Sequence, residues 1–518
     1  MTSPGTRPKA TGTLTVGNIL RVAAARFADK EAVYCSATGR RFSFRRLNER
    51  ANRLAGGLTS LGLSKGDVAA FLCTNRAEIL EIYFALAKTG VIGIPINYRL
   101  APAEMIELMR YCDAQALLFD PWFPEVAAQV QPKLSRVKHF IGMGENLPAF
   151  ATGYEGLLAA SSPEEPKVEI SEEDYHYFNL TSGTTGLPKA YLLTNYNNAT
   201  AIVMALMHDL TPGDVILTAF PIFGRVGFAW CALGLITGAR VVIHQFQAQK
   251  MLELIQSERV TISNWVPTMA SFVLAQPDLE KYDLSSLRAL VFSAAPLPQS
   301  LQQQVRKRIC PNLYEYYGLQ ETGILTQLGP EEKNRKPDSV GKVVFTAEVR
   351  IVDHQDRDLP AGEVGQILGR APAATGGYFK NEEKTREVFR DGWVHTGDLG
   401  RFDEEGFLYL AGRAKDMIIS GGQNVFSVEV EDTLMSHPAV ADCAVIGLPD
   451  ETWGEKVTAV VVKAPGAQVS EEELIRHCKE RIAGFKTPKT ILWWEGLLPR
   501  TPTGKVTKFV LVEKYSKS

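Results

Sequence analysis

Net charge is nearly absent from this sequence: 56 lysines and arginines stand against 58 aspartates and glutamates, leaving −2 at pH 7. There is no overall basic field to gather nucleic acid or an anionic membrane. Cysteine is sparse. The seven (Cys35, Cys73, Cys112, Cys231, Cys310, Cys443 and Cys478) are odd in number and scattered. None forms a CxxC pair or a Cys/His spacing of the zinc-binding kind, which argues against a disulfide framework and a zinc site. Reduced thiols in a soluble, cytoplasmic protein are the expectation. Long hydrophobic runs are missing too. The longest, between Arg225 and Arg240, carries Gly227, Gly234 and Gly238. It is shorter than the ~20 residues of a membrane span and reads as a buried core helix. Met1 to Ala25 has no apolar stretch of the signal-peptide kind. No internal repeat or low-complexity segment stands out.

What is present is enough chain and apolar matter for several domains: 518 residues, 45% of them hydrophobic, at roughly 100–200 residues per domain. Leu47, Ala51, Leu54, Leu58 and Leu61 recur at helical spacing. A buried strand is expected at 68–72, a helix at 77–88 stopped by Gly90, and another strand at 91–96. That strand–helix–strand order belongs to a parallel sheet. The alternation continues with strands expected near 215–219, 241–244, 289–292 and 313–316. Helices fit near 226–236, 251–257 and 301–308. From about Ser339 short runs near 348–352 and 366–369, broken by Gly, Pro and Asp, suggest antiparallel strands. Past Arg413 a capping box of Ser470 and Glu473 opens a helix expected to run to Gly484, flanked by strands. The expected fold class is therefore α/β. A large N-terminal domain of parallel αβ sheets plus a β portion would span 1–412, and a small α+β domain 413–518.

The densest local signal is Thr181-Ser182-Gly183-Thr184-Thr185-Gly186-Leu187-Pro188-Lys189, after a strand-like stretch. Two glycines let the backbone approach an anion, hydroxyls donate to it, and Lys189 adds a positive charge. The combination suits a polyphosphate. It is not a Walker A loop, because Pro188-Lys189 stand where Gly-Lys-Ser/Thr is required.

This loop resembles the signature loop of the ANL superfamily of adenylating enzymes: acyl-CoA synthetases, peptide-synthetase adenylation domains and luciferases. Similar segments follow in family order: Ser293 to Leu297, Tyr317-Gly318-Leu319-Gln320-Glu321, Thr396-Gly397-Asp398, Gly412 to Asp416, Gly421 to Val425, and Pro499 to Lys505. The resemblance implies an ATP-dependent acyl-CoA synthetase. A carboxylic acid would attack the α-phosphate of ATP, release pyrophosphate, and be passed as acyl group to the thiol of coenzyme A. Such chemistry asks for a metal, a phosphate cradle and a cation at the α-phosphate.

The resemblance also implies the residues. Thr181, Ser182, Gly183, Thr184, Thr185, Gly186 and Lys189 would cradle phosphate, with Ala295 and Gln320 also at the nucleotide. Tyr317 would stack on adenine and Asp398 would hold the ribose hydroxyls. Arg413 would reach ribose or phosphate. Glu321, read as ending a buried strand, would bind Mg²⁺. Lys505 would be the catalytic lysine. The small domain would be mobile, rotating about Lys415, so that Gly421 and Gly422 line a pantetheine tunnel with Trp453 and Phe485 against the CoA nucleotide. Arg225, Phe228, Trp265, Met269, Ala294 and Ile324 would form the acyl pocket. Arg225 would pair with a second polar or anionic group of the acid, unless it is a loop arginine facing solvent, the ordinary state of arginine.

Four positions depart from the family pattern. Ala190 replaces a usual glycine, Asn195 a usual histidine, Gln320 a usual Thr or Ser, and Gly224 an aromatic or histidine gate. Two other readings are carried: a ligase that loads carrier-protein phosphopantetheine, and a nucleotide-binding pseudoenzyme. No carrier domain follows Ser518, which favours free CoA. A monomer or homodimer is expected, with no nucleic-acid partner and no transmembrane segment.

Overall fold

A computed structural model describes residues 14–181, 189–200, 202–295, 297–500 and 506–516 of the chain. Contacts gather into two compact units: Met1–Asn264 with Pro372–Thr385, and Trp265–Ala371 with Arg386–Ser518.

In the first unit the expected strand–helix–strand opens a parallel sheet. Val68–Leu72 and the helix Ala77–Thr89 are buried along their whole length. The helix stops at Gly90, whose φ of +72° lets its N–H close on the Leu86 carbonyl. Ile92–Pro95 then returns parallel to the first strand. The full sheet has seven strands, in the order Thr152–Gly153, His139–Gly142, Ala116–Phe119, Val68–Leu72, Ile92–Pro95, Tyr175–Thr181, Lys189–Thr194. Only the last pair is antiparallel. A second run of strands follows the order Arg40–Ser43, Glu31–Cys35, Arg240–Ile243, Val215–Thr218, Ile262–Trp265, parallel after the first pair.

The apolar run is indeed a core helix, Arg225–Thr237. Gly234 lets it sit close to the sheet, since a Cβ there would lie 2.6 Å from Val241 Cγ2.

His176, on the strand Tyr175–Thr181, is wholly buried. Its Nε2 donates to the Tyr83 carbonyl at 2.9 Å, and Nδ1 faces the Asn198 amide nitrogen at 3.3 Å. A second proton on Nδ1 would meet a donor. Burial pushes the pKa down to about 4. Between that value and the ordinary one near 6.5, the unfolded chain holds the extra proton, so stability falls as pH is lowered. We expect His176 to contribute about 1.4 kcal/mol of lost stability per pH unit over that window. His176→Gln should flatten that slope, which urea midpoints of both proteins at pH 7 and pH 5 will show.

In the second unit Ala289–Phe292 and Leu313–Leu319 run parallel, and Gly323–Leu328 and Lys342–Val343 continue antiparallel. The expected β portion is an antiparallel sheet of Glu348–Val352, Gly365–Arg370, Trp393–Phe402, Phe389–Arg390 and Leu408–Arg413. The chain then builds a small α+β sheet from Ile418–Ser420, Gln423–Val425, Val440–Asp450, Gly454–Lys463 and Thr490–Trp493. Helices Ser427–Met435 and Glu471–Lys479 feed Val430, Leu434, Leu474 and Cys478 into its core. Ser470 caps the second helix, accepting from the Glu473 amide at 3.2 Å. That helix ends at Lys479 rather than at Gly484. Short-range bonds from Arg481 and Ile482 to the Cys478 carbonyl tighten its last turn and stop it.

All seven cysteines are buried and unbridged. Among the described residues no helix is long and apolar enough to cross a membrane.

Candidate functional site

A carboxylate is held rigidly where the β portion meets the strand Leu313–Leu319. Thr396-Gly397-Asp398 lies within Trp393–Phe402. Gly397 has φ +71°, a conformation costly for a residue with a side chain. Asp398 sits opposite Arg413 in the ladder. Arg413 Nε donates to Asp398 Oδ1 at 2.7 Å, and Tyr317 Oη donates to Oδ2 at 3.0 Å. Thr396, part of the motif but given no role from the sequence, braces both: its Oγ1 accepts from the Asp398 amide at 3.0 Å, and its carbonyl from Arg413 Nη2 at 3.3 Å. A carboxylate offers about four lone-pair sites, so this one keeps acceptor capacity for two hydroxyls. The Tyr317 ring packs with Leu325, Ile351, Ile367 and Leu408. Burial first, and then the Asp398 charge, push its phenol well up, so it remains a donor.

Past Leu313–Leu319 the chain turns through Gln320, Glu321 and Thr322 into Gly323–Leu328. Glu321 thus lies in the turn, half-buried, and not at the end of the strand as expected. The strand stops sooner because the Leu319 amide donates to Thr322 Oγ1 at 3.0 Å and starts the turn. Thr322 is fully buried, its hydroxyl also donating to the Gly323 carbonyl at 2.8 Å, and its position was not legible beforehand. Among the described residues no three His, Cys, Asp or Glu side chains could hold a metal alone. A single carboxylate fits magnesium, which takes one or two carboxylates and otherwise phosphate oxygens and water.

The segment expected to cradle phosphate follows a strand that pairs antiparallel with the strand after it, Thr181 being the register partner of Lys189. The expectations on Ser182, Gly183, Thr184, Thr185, Gly186 and Lys505 lie outside the described residues. Two departures near the loop have structural reasons. Ala190 packs in the apolar core with Phe178. Asn195 is wholly buried, accepting from the Val16 amide at 3.1 Å and donating to the Asp174 carbonyl at 3.2 Å. It ties down the helix Val16–Arg26. Gly224 is the N-cap residue of Arg225–Thr237.

The candidate acyl residues divide between the units. In the second, Trp265 is wholly buried and Met269 half-buried on the helix Pro267–Leu274. The Trp265 carbonyl accepts from the Ser293 amide at 3.4 Å. The next residue, Ala294, has φ +73°, a strained backbone of the kind that concentrates at functional sites. Ala295 and Ile324 are half-buried. In the first unit Phe228 stacks on Tyr83 with centroids 4.0 Å apart, and Tyr177 lies edge-on at 5.8 Å. Arg225 does not face solvent. It is the first residue of its helix, 9% exposed, and its guanidinium bonds the Ala373 carbonyl.

Lys415 is exposed in the short turn Ala414–Asp416 between Leu408–Arg413 and Ile418–Ser420. Gly421 and Gly422 make the two-residue turn of the next hairpin, with φ +57° and +75°, as such a turn requires. The Gly421 amide donates to the Trp453 carbonyl at 2.8 Å, and a Cβ on Gly421 would sit 3.0 Å from the Trp453 ring. Phe485 lies partly exposed on the turn after Glu471–Lys479.

Residues 20–379 match the family described as AMP-binding enzyme, and 429–505 match the AMP-binding enzyme C-terminal domain. A feruloyl-CoA synthase of Amycolatopsis is 35% identical over 476 residues, covering 91% of this chain and 93% of that protein. The long-chain-fatty-acid–CoA ligase FadD13 of Mycobacterium tuberculosis is 32% identical over 507 residues, covering 97% and 98%. The crystal structure of the anthranilate CoA ligase AuaEII with anthranoyl-AMP superposes with a TM-score of 0.90 at 30% identity, covering 97% of each chain. With the motifs in order, the α/β fold in agreement and the Tyr317–Asp398–Arg413 cluster assembled, the chain belongs to the AMP-binding enzyme family and is an AMP-forming acid–thiol ligase.

Proposed function

We propose that the enzyme activates a carboxylic acid with an apolar body, aliphatic or aromatic, as its acyl-adenylate and transfers the acyl group to coenzyme A. The observation that carries this reading is the carboxylate of Asp398, fixed by Tyr317 and Arg413 with acceptor sites to spare. Two vicinal ribose hydroxyls suit those sites, and the Tyr317 ring offers adenine a face. Thr181 to Lys189 would cradle the phosphates. Glu321 would hold Mg²⁺, which offsets phosphate charge when bound. Lys505 would meet the charge that develops as the carboxylate attacks the α-phosphate. For the second half-reaction the small domain would pivot at Lys415 and bring Gly421, Gly422 and Trp453 to the pantetheine arm. The buried thiols favour a cytoplasmic setting.

Asp398→Asn keeps the shape but removes the charge that Arg413 pairs with. We expect kcat/KM for ATP to fall about a hundredfold, from the lost charge-assisted bonds, with little change in the melting temperature. An unaltered kcat/KM would remove Asp398 from the nucleotide site.

The reading as a whole is tested by pyrophosphate release with Mg-ATP over aliphatic acids, benzoates, cinnamates and diacids, with and without CoA. CoA-dependent turnover of one class supports it. Adenylation indifferent to CoA points to a carrier-protein thiol, and ATP binding without any turnover points to a pseudoenzyme.

A further inference from the structure

Two buried polar side chains lie side by side beneath the helix Arg225–Thr237 with no bonding partner among the described residues. Thr218 and Asn264 are register partners on adjacent parallel strands, Val215–Thr218 and Ile262–Trp265. Both are wholly buried. Among the described residues, Thr218 Oγ1 and both amide atoms of Asn264 have no hydrogen-bond partner. Their neighbour Ser263 shows the usual outcome, donating to the Leu217 carbonyl at 2.7 Å.

The face they occupy can be read from the sheet. A Cβ on Gly234 of the helix would lie 3.1 Å from Ile216 Cδ1, so Ile216 faces the helix. Side chains alternate along a strand, so Thr218 shares that face, and its register partner Asn264 shares it too. Both sit at or near the carboxyl ends of their strands, where open parallel sheets take their ligands. The helix above them is itself largely apolar and buried, with Phe228, Trp230, Cys231, Leu233 and Leu235 among its buried residues. A hydroxyl and an amide with all their bonding capacity unused, in an otherwise apolar layer, form a recognition pair.

We propose that Thr218 and Asn264 select the acid by bonding a neutral polar substituent, a hydroxyl or carbonyl, at the end of its apolar body. The inference rests on the reading above, with the acyl chain entering along the helix Arg225–Thr237. An amide and a hydroxyl each both donate and accept, which matches a hydroxyl or carbonyl. Neither carries a charge to pair with a second carboxylate. Sites built to bond a substrate hydroxyl reject the analogue lacking it far more strongly than apolar pockets reject an extra group.

The test uses the full-length enzyme and matched acids: para-coumarate against cinnamate, and ω-hydroxydecanoate against decanoate. The wild type should favour the hydroxylated member of at least one pair by tenfold or more in kcat/KM. Asn264→Leu and the isosteric Thr218→Val should each bring that ratio toward one, with melting temperatures measured alongside. Calorimetric binding of the paired acyl sulfamoyl-adenosines gives the ratio without turnover. A wild-type ratio near one for both pairs, or one that neither substitution moves, overturns the inference and leaves a buried water as the partner. Absence of pyrophosphate release with every acid counts against the parent reading, and the calorimetric ratio still decides this one.

Discussion

Replacing Lys505 with alanine should lower the rate of acyl-adenylate formation about 10²–10³-fold, the usual loss when one preorganised donor to a developing charge is removed. The C-terminal segment holds four lysines, Lys505, Lys508, Lys514 and Lys517, that could be mistaken for one another. Two have structural partners. Lys508 Nζ bonds Ser427 Oγ at 2.7 Å and pairs with Glu431 at 2.7 Å. Lys514 lies over the Trp494 ring at 4.2 Å. Of the residues that flank Lys505, Arg500 and Val506 bridge to each other, and Arg500 pairs with Asp442. Lys508→Ala should therefore weaken the small domain and leave pyrophosphate release within a few-fold of wild type. Equal losses for the two variants would mean that Lys505 acts through folding, and rate loss in Lys508→Ala alone would assign the wrong lysine.

Arg50→Ala should destabilise the first unit by about 3–5 kcal/mol, the cost of stranding a buried charge. Arg50 and Glu81 are 3% and 0% exposed. The guanidinium meets the carboxylate with two bonds, of 2.6 and 3.0 Å, and Tyr154 Oη donates to the same carboxylate at 2.7 Å. Without the arginine, Glu81 keeps only the phenol. Arg50 also bonds Glu155 at 2.8 Å, but that side chain is 58% exposed. Glu155→Gln should consequently cost under about 1 kcal/mol. Arg50→Met combined with Glu81→Leu should recover most of the loss, because an apolar pair carries no desolvation penalty. Urea and thermal unfolding of the four proteins measure this. An Arg50→Ala protein with the wild-type midpoint would show that water already reaches Glu81.

The elements most visible beforehand were those written as local apolar runs or closed by a glycine. The strand Val68–Leu72, the helix Ala77–Thr89 with its Gly90 stop and the core helix Arg225–Thr237 all stood close to where those local signals put them. The helix opening at Ser470 began as expected but ended early, since its last turn is set by local bonds to the Cys478 carbonyl. Glu321 was misplaced by two residues because the turn that carries it depends on one buried threonine hydroxyl. Polar side chains inside the protein were the least visible. Arg50, Glu81, His176, Asn195, Thr218 and Asn264 are all buried, yet in sequence they look like residues for solvent.

The α/β alternation, the β portion, the small C-terminal α+β fold and the resemblance to adenylating enzymes were legible before any contact was known. Each is written in local spacing or in contiguous motifs. Folding brought Tyr317, Asp398 and Arg413 into one hydrogen-bonded cluster and turned Arg225 inward to a backbone carbonyl. It alone decided that Thr218 and Asn264 face a helix with no bonding partner among the described residues. Those facts depend on which distant strands become neighbours and on which face each side chain takes. A buried polar group is defined by what surrounds it, and residues far apart in the chain supply that surrounding.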